Sequence, residues 1–339
     1  MRMTAPATHQ RSAPAFGPGA VVPIQPGGGW AIRLELLWGR ARRKYLRLVR
    51  PGHVARALAA RRGECPGCPH DVIDSRDLKL CANACGYWFP PATDPFAWRD
   101  TVPIARAGWA EVVLFGGGAA VATALALLVW PWAAVLPALA GVFVVAFFRD
   151  PPRRIPGGPG VVVSPADGRV TDVTPLDWVD DFRGPGVRIG IYLSLFNVHV
   201  NRCPASGTAV WVRYAPGRFL DSRRPDAARV NESIETLFGS ADGSGRLYLV
   251  RQVAGAFASR VVTTVRPGRR FPVGHKIGMI KFGSRTELYL SDPRVVVLVR
   301  PGDVVRGGAS VLARQPEPGP GPPDGCEPAR PLSPEGESS

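Results

Sequence analysis

The longest apolar run in the chain sets its first boundary. Residues 112–148 hold no charged side chain, and a helix needs about 20 apolar residues to cross the hydrocarbon core of a bilayer. The run predicts one long crossing, or two short ones broken near Trp130-Pro131-Trp132. Arg106 precedes it, and Arg149, Arg153 and Arg154 follow. With both flanks basic, the positive-inside bias favours a hairpin with both ends on the cytoplasmic side. The competing reading is a buried helix pair in a soluble protein.

Beyond Arg149 the apolar runs are short and β-rich, at 161–163, 187–195, 208–214, 247–253, 259–265, 288–290 and 295–299. Gly and Pro separate most of them, as strand–turn punctuation does. Only 226–237 carries a helical pattern. The expected fold class is mainly β (α+β): a β-sandwich-like unit over 149–314, preceded by an apolar helical membrane hairpin at 109–148. Within that unit SPADGRV (164–170), CPASGTAV (203–210) and RPGDVVRGGASVL (300–312) read as repeated strand–turn–strand pieces. They are similar to the hammerhead-like turns of biotinyl and lipoyl carrier domains, although no carrier lysine occupies a turn tip.

Ahead of the hairpin the texture is basic. Nine Lys and Arg and no acidic residue lie between Arg40 and Arg62, with Trp30, Ile32, Leu34, Leu36, Leu37, Trp38, Tyr45 and Leu46 before or among them. Segment 30–64 is thus expected to be basic and amphipathic, suited to an anionic membrane surface. A solvated basic helix is the plainer alternative. Residues 1–29, rich in Pro, Gly, Ala and Ser, and 315–339, with eight Pro from Pro316 to Pro334, read as a disordered arm and tail.

Composition narrows the classes. A chain of 339 residues has room for two or three units, and 45% hydrophobic residues exclude a wholly disordered protein. Lys and Arg outnumber Asp and Glu 42 to 27, a net charge of +15 that asks for an anionic partner, nucleic acid or lipid. Six Cys are too few for a disulfide scaffold. Cys65-Pro-Gly-Cys68 and Cys81-Ala-Asn-Ala-Cys85 each turn two sulfurs toward a common point, so 65–108 is expected to be a zinc knuckle-like segment with these four ligands. A disulfide pair or labile thiols are the alternative. A knuckle beside basic residues keeps nucleic acid open as a partner; the apolar hairpin favours a membrane.

Candidate chemistry is sparse. The β-rich unit holds two of the five His, His199 and His275. His199 follows an apolar run, and in a strand Asn197, His199 and Asn201 would share one face. His275 is expected to be a surface or structural residue. Asp167 sits in a Pro-Ala-Asp-Gly turn and Ser284 in a Gly283-Ser284 dipeptide, both ordinary settings. Together Asp167, His199 and Ser284 are the parts of an acid–base–nucleophile set. Nothing like GxSxG surrounds Ser284. A Gly before the Ser suits a hydroxyl attacking its own preceding carbonyl, which needs close backbone approach.

Beyond the individual residues, FFRDPPRRIP (147–156), SPADGRV, NVHVNRCPASG (197–207), Asn231-Glu232, QVAG (252–255) and GMIKFGSRTELYL (278–290) resemble, in order and spacing, the short form of phosphatidylserine decarboxylase over 112–313. GMIKFGSR is the most specific of these motifs. The resemblance does not reach the arm, the Cys pairs or the Pro-rich tail.

The resemblance implies a proenzyme that cuts itself between Gly283 and Ser284. Asp167 would orient His199, His199 would activate the Ser284 hydroxyl, and Ser284 would become a pyruvoyl group, the cofactor. The products would be a β chain ending at residue 283 and an α chain beginning with the modified Ser284. The long form carries a second His three positions on, where this chain has Arg202. Phosphatidylserine would be decarboxylated to phosphatidylethanolamine and CO2 at the cell membrane, on its cytoplasmic side, with Arg149, Arg153 or Arg154 as candidates for the lipid phosphate. The rivals are a Ser-His-Asp hydrolase using unmodified Ser284 and a non-catalytic membrane adaptor whose zinc knuckle binds nucleic acid or protein.

Overall fold

The structure is a computed structural model that describes residues 30–65, 68, 70–79, 86–94, 96–215, 217–218, 220, 230–255, 260–281 and 284–316. Two helices open it, α1 (Trp30–Val49) and α2 (Pro51–Ala60), with Pro51 at the first helical position, where its missing N–H is not needed. Leu46, Val54 and Ile73 form their small shared core. Arg42 and Arg43 reach down from α1 to the buried Asp74 and Asp77. Burial pushes the Asp74 carboxyl up, but the guanidinium groups of Arg76 and Arg42 outweigh it and bring it to about 2.

The apolar run folds as two helices, α3 (Arg106–Val129) and α4 (Pro131–Phe147). Among the described residues only α3 is long and apolar enough to cross a membrane. Pro131, which cannot continue a helix, follows the break at Trp130. Small residues let the two helices close up: a Cβ on Gly141 would lie 3.2 Å from the Ala119 Cβ. Side chains such as Leu125, Leu128, Val129, Leu136 and Val142 point outward, as lipid-facing residues do. At the base of the pair Phe147 and Phe148 pack with Ala105, Val198, Val200 and Met279, which seats the helices on the β unit.

Fourteen strands in three antiparallel sheets follow among the described residues. They are β1 (Val161–Val163), β2 (Gly168–Val179), β3 (Gly184–Leu193), β4 (Val200–Arg202), β5 (Gly207–Ala215), β6 (Ser233–Ser240), β7 (Leu247–Ala254), β8 (Arg260–Thr263), β9 (Arg270–Phe271), β10 (Lys276–Lys281), β11 (Ser284–Leu290), β12 (Val296–Val297), β13 (Val304–Val305) and β14 (Val311–Arg314). The large sheet runs β13-β2-β3-β11-β7-β6-β5-β9, and the small ones β1-β14-β12 and β4-β10-β8. Each strand–turn–strand piece found in the sequence crosses between sheets: β1 to β2, β4 to β5, and β13 to β14.

One face of the large sheet carries the main core, with Ile189, Ile191, Leu288, Val250, Phe238 and Tyr248 among its members. The other face carries a transverse row of charge. Asp172, Gly190, Glu287, Arg251, Glu235 and Arg213 stand in register across β2, β3, β11, β7, β6 and β5. Gly190 is the gap in that row, and the Asp172–Arg285 pair, 2.6 Å apart, lies over it. A Cβ there would sit 2.4 Å from Asp172 Oδ2.

Of the helix expected over 226–237, Val230 is helical among the described residues, but the part from Ser233 on is not, since Ser233–Ser240 is strand β6. Its helical spacing comes from burial on both faces: Ile234 and Phe238 face inward, and Leu237 joins a second cluster with Leu249 and Tyr289. Residues 226–229, the arm 1–29 and the tail from 317 on lie outside the described residues.

Candidate active site

Two chain segments cross between sheets at the same place. Strand β10 ends in the small sheet at Lys281, and β11 begins in the large sheet at Ser284. Alongside, the chain leaves β3 at Leu193 and enters β4 at Val200. Register fixes the match: Leu193 pairs with Ser284 and Val200 with Met279. The connection that carries His199 therefore runs beside the one that leads into Ser284. The Ile280 N–H donates to the His199 carbonyl at 3.2 Å, which ties the two together. Gly283, the expected partner of Ser284 in the cleaved bond, lies outside the described residues, as does Phe282.

His199 is fully buried, and its ring lies 4.5 Å from that of Phe147 at the end of α4. Nδ1 is 2.9 Å from the Asn197 carbonyl oxygen. A carbonyl only accepts, so Nδ1 carries the hydrogen and Nε2 keeps a free lone pair. Nε2 has no hydrogen-bond partner among the described residues. Burial drives the pKa of the imidazole down to about 4, with the Arg149 charge adding to the effect. The ring is thus held neutral, with one nitrogen ready to take a proton. The Asn197 side chain fixes this turn by accepting from the Ser194 N–H and Oγ at 2.9 and 2.7 Å.

Ser284 is equally buried, and its Oγ likewise has no hydrogen-bond partner among the described residues. Its backbone is held on both sides, by Leu193 of β3 and Ala254 of β7. A buried hydroxyl without a partner is costly. Two polar atoms, Ser284 Oγ and His199 Nε2, thus lie buried without a hydrogen-bond partner among the described residues, on neighbouring connections between the sheets.

Asp167 departs from the sequence expectation. Its carboxylate accepts from Arg153 at 2.8 and 3.0 Å and from the Gly307 N–H at 2.7 Å, and it bonds neither ring nitrogen of His199. In this turn the carboxylate pins two loops and the FFRDPPRR segment together, and the Asn197 carbonyl orients the imidazole. The sequence gives no sign of that role, because a main-chain carbonyl leaves no residue signature. Nor do Asn197, His199 and Asn201 share a strand face. Strand β4 begins only at Val200, and Asn197 and His199 belong to the turn before it.

Asn201 instead ties the sheets together, donating to Thr286 Oγ1 at 3.1 Å and accepting from Gln252 Nε2 at 2.7 Å. Asn231 donates to the Ala254 carbonyl at 2.7 Å, directly opposite Ser284. Two of the candidate phosphate ligands are engaged within the chain: Arg153 by Asp167, and Arg149 by the carbonyls of Ala146 and Phe196. His275 is exposed, with its ring 5.6 Å from that of Phe271, in keeping with a surface or structural place.

The zinc expectation is not met by the described half of its ligand set. Cys65 and Cys68 are joined as a disulfide, and in that form neither sulfur is the thiolate a zinc ion takes. Cys81 and Cys85 lie outside the described residues. No group of three or more metal-ligating side chains gathers among the described residues.

Sequence reasoning also missed a buried charge cluster. Lys281, last in β10, pairs with Glu111 at the foot of α3 and with Glu35 of α1. The signal was available, since Glu35 is the only acidic residue between Trp30 and Gly63 and Glu111 immediately precedes the uncharged run.

Comparison with known proteins accords with this geometry. The family model described as phosphatidylserine decarboxylase matches residues 140–313. A phosphatidylserine decarboxylase proenzyme of Rhodopirellula baltica is 39% identical over 239 residues, covering 70% of this chain and 98% of the relative. The proenzyme of Symbiobacterium thermophilum is 44% identical over 216 residues, covering 63% and 96%. That of Carboxydothermus hydrogenoformans is 39% identical over 216 residues, covering 64% and 98%.

Proposed function

This chain belongs to the phosphatidylserine decarboxylase family, and from that premise we propose that Ser284 is the residue that opens the chain and that His199 is its base. The protein is an enzyme, a carboxy-lyase, made as a self-cleaving proenzyme of the pyruvoyl type and acting in phospholipid biosynthesis. The observation that carries the residue assignment is the pair of buried polar atoms at the sheet junction, Ser284 Oγ and His199 Nε2, neither with a hydrogen-bond partner among the described residues.

Self-cleavage then proceeds through an ester. Nε2 takes the hydroxyl proton as Oγ bonds to the Gly283 carbonyl carbon. The C–N bond to Ser284 breaks, and its nitrogen receives that proton, leaving an ester. Loss of the Ser284 α-proton expels the Gly283 carboxylate, the new end of the β chain. The dehydroalanine left behind takes up water and releases ammonia, so the α chain begins with a pyruvoyl group. That ketone supplies the electron sink decarboxylation needs and side chains lack. His199 holds the proton delivered to the carbon that loses CO2.

The substrate is phosphatidylserine and the products are phosphatidylethanolamine and CO2. A lipid reaches the site from the bilayer: α3 enters the membrane, α4 leads back to the β unit, and Phe147 at its end packs on His199. The exposed apolar side chains of Leu34, Leu37, Trp38, Tyr45 and Leu48 follow helical spacing along α1, with Arg33, Arg40 and Lys44 beside them. This pattern supports α1 lying on an anionic surface. The basic ends of the hairpin favour the cytoplasmic side for the catalytic unit. The three sheet-to-sheet crossings support the sandwich-like, hammerhead-turn reading of the β unit.

The test is full-length protein incubated with phosphatidylserine vesicles. The reading requires CO2 release together with two chains by mass spectrometry, the α chain lacking a free amino terminus. An intact chain that releases no CO2 overturns it.

A further inference from the structure

We propose that Lys281, held by Glu111 and Glu35, is a positioning residue for self-cleavage, so that helix α1 takes part in the enzyme's maturation. The proposal rests on the reading of Ser284 given above and goes beyond it. It assigns a role to a helix that lies outside the segment matched by the family.

The cluster is built from three distant parts of the chain. The Lys281 side chain is 2% exposed, and those of Glu35 and Glu111 are 5% and 6%. Nζ lies 3.5 Å from Glu35 Oε1 and also pairs with Glu111 Oε1. Removing three charges from water is expensive, and loss of one partner leaves the others buried and uncompensated. Burial alone would lower the Lys281 pKa, but the two carboxylates outweigh it and raise it, so the ammonium form is retained. Arg260 stands opposite Lys281 in the β8–β10 ladder and contributes a further positive charge nearby.

The position of Lys281 gives the cluster its consequence. The reaction needs the Ser284 hydroxyl to meet the carbonyl just before it, so both flanks of that linkage must be held. On the far side β11 is fixed from Ser284 onward by β3 and β7. On the near side β10 ends at Lys281, whose side chain is the last described anchor before Ser284. That anchor is tied to the foot of the membrane-crossing helix and to α1. Within α1, Glu35 is the sole carboxylate among many basic side chains, so no other residue of the helix can replace it on an ammonium. Docking of α1 and α3 thereby sets the position of the strand that enters the reacting linkage. An error of about 1 Å in such a placement costs on the order of a hundredfold in rate.

The experiment follows conversion of the full-length chain to two chains on denaturing gels during cell-free synthesis with phosphatidylcholine–phosphatidylglycerol vesicles. Lys281→Met and Glu35→Gln are each expected to slow the first-order conversion by about tenfold or more. Lys281→Arg is expected to restore most of the rate. The double variant should convert no more slowly than Lys281→Met alone, because both changes break one contact. A role in stability alone would lower the melting temperature and leave conversion of the folded chain at the wild-type rate. Conversion of Glu35→Gln at the wild-type rate overturns the proposal, and that isosteric change decides the matter even if Lys281→Met does not fold. A wild-type chain that stays whole would sink the reading of Ser284 instead.

Discussion

The imidazole Nδ1 of His199 lies 2.9 Å from the carbonyl oxygen of Asn197, two residues earlier in the same turn. That contact selects the tautomer with Nε2 bare, and burial keeps the ring neutral, with a pKa near 4 where the ordinary value is 6.5. Self-cleavage that depends on neutral His199 should therefore hold its rate from pH 7 down to about 5. Rates of conversion measured across that range would test this. An inflection near pH 6.5 would mean that the base titrates as a solvated histidine.

The same shift bears on stability. The folded state binds the His199 proton less readily than the unfolded chain does, so stability rises with pH wherever the two differ in protonation. His199 thus favours folding fully above about pH 6.5, and its contribution is lost as pH falls through that value toward about 4. The difference amounts to about 3 kcal/mol at most. His199→Gln should flatten this part of the pH dependence in denaturant titrations of the uncut Ser284→Ala chain.

Phe147 couples the helix pair to this chemistry. Its ring covers His199, and removing it by Phe147→Ala should cost about 3–5 kcal/mol as a large-to-small core change. Water entering the space would raise the His199 pKa toward its ordinary value, so the pH profile of cleavage should move upward. Phe147→Leu, which fills most of the volume, should move it less.

Much of this arrangement was legible in the sequence because it rests on local residue types. The uncharged run became α3 and α4, the β-rich runs became strands, and Ser284 and His199 both fell at one junction. What escaped depends on main-chain groups and on pairing between distant segments. The Asn197 carbonyl has no residue signature, and Asp167 looked like the partner of His199 because the residue types fit. Its neighbours in space, Arg153 and Gly307, are set by turns that meet only after the sheets form. The end of the helix read over 226–237, from Ser233 on, is strand for a related reason. Burial on both faces of a central strand imitates the spacing of a helix, and periodicity alone does not separate the two.

A side chain at Gly190 should displace the Asp172–Arg285 pair. In Gly190→Ala the new Cβ would meet Asp172 Oδ2 at 2.4 Å and the Arg285 guanidinium at 2.5 Å. These side-chain ends must swing aside, and with the ion pair disturbed the expected loss is about 1 kcal/mol. Gly239, in β6 of the same sheet, offers the contrast, since its nearest contact would be an ordinary 3.8 Å. Thermal melts of the two alanine variants should separate clearly, with Gly239→Ala close to wild type.

The outward stripe of α1 gives a prediction of a different kind. Leu37 and Trp38 are more than half exposed, at 57% and 54%, and basic side chains stand beside them. On an anionic bilayer that face would lose its contact with water, whereas on a zwitterionic one the basic flanks have little to hold them. The long apolar helix α3 would hold the protein on either bilayer, so total membrane binding does not discriminate. Hydrogen exchange within 34–48 does, measured in nanodiscs of phosphatidylglycerol and of phosphatidylcholine. Protection should be greater with the anionic lipid and should fall as salt rises past physiological strength, where the screening length drops below about 8 Å. Trp38→Glu should abolish the difference, and equal protection in both lipids in the wild type would leave α1 as a helix of the protein alone.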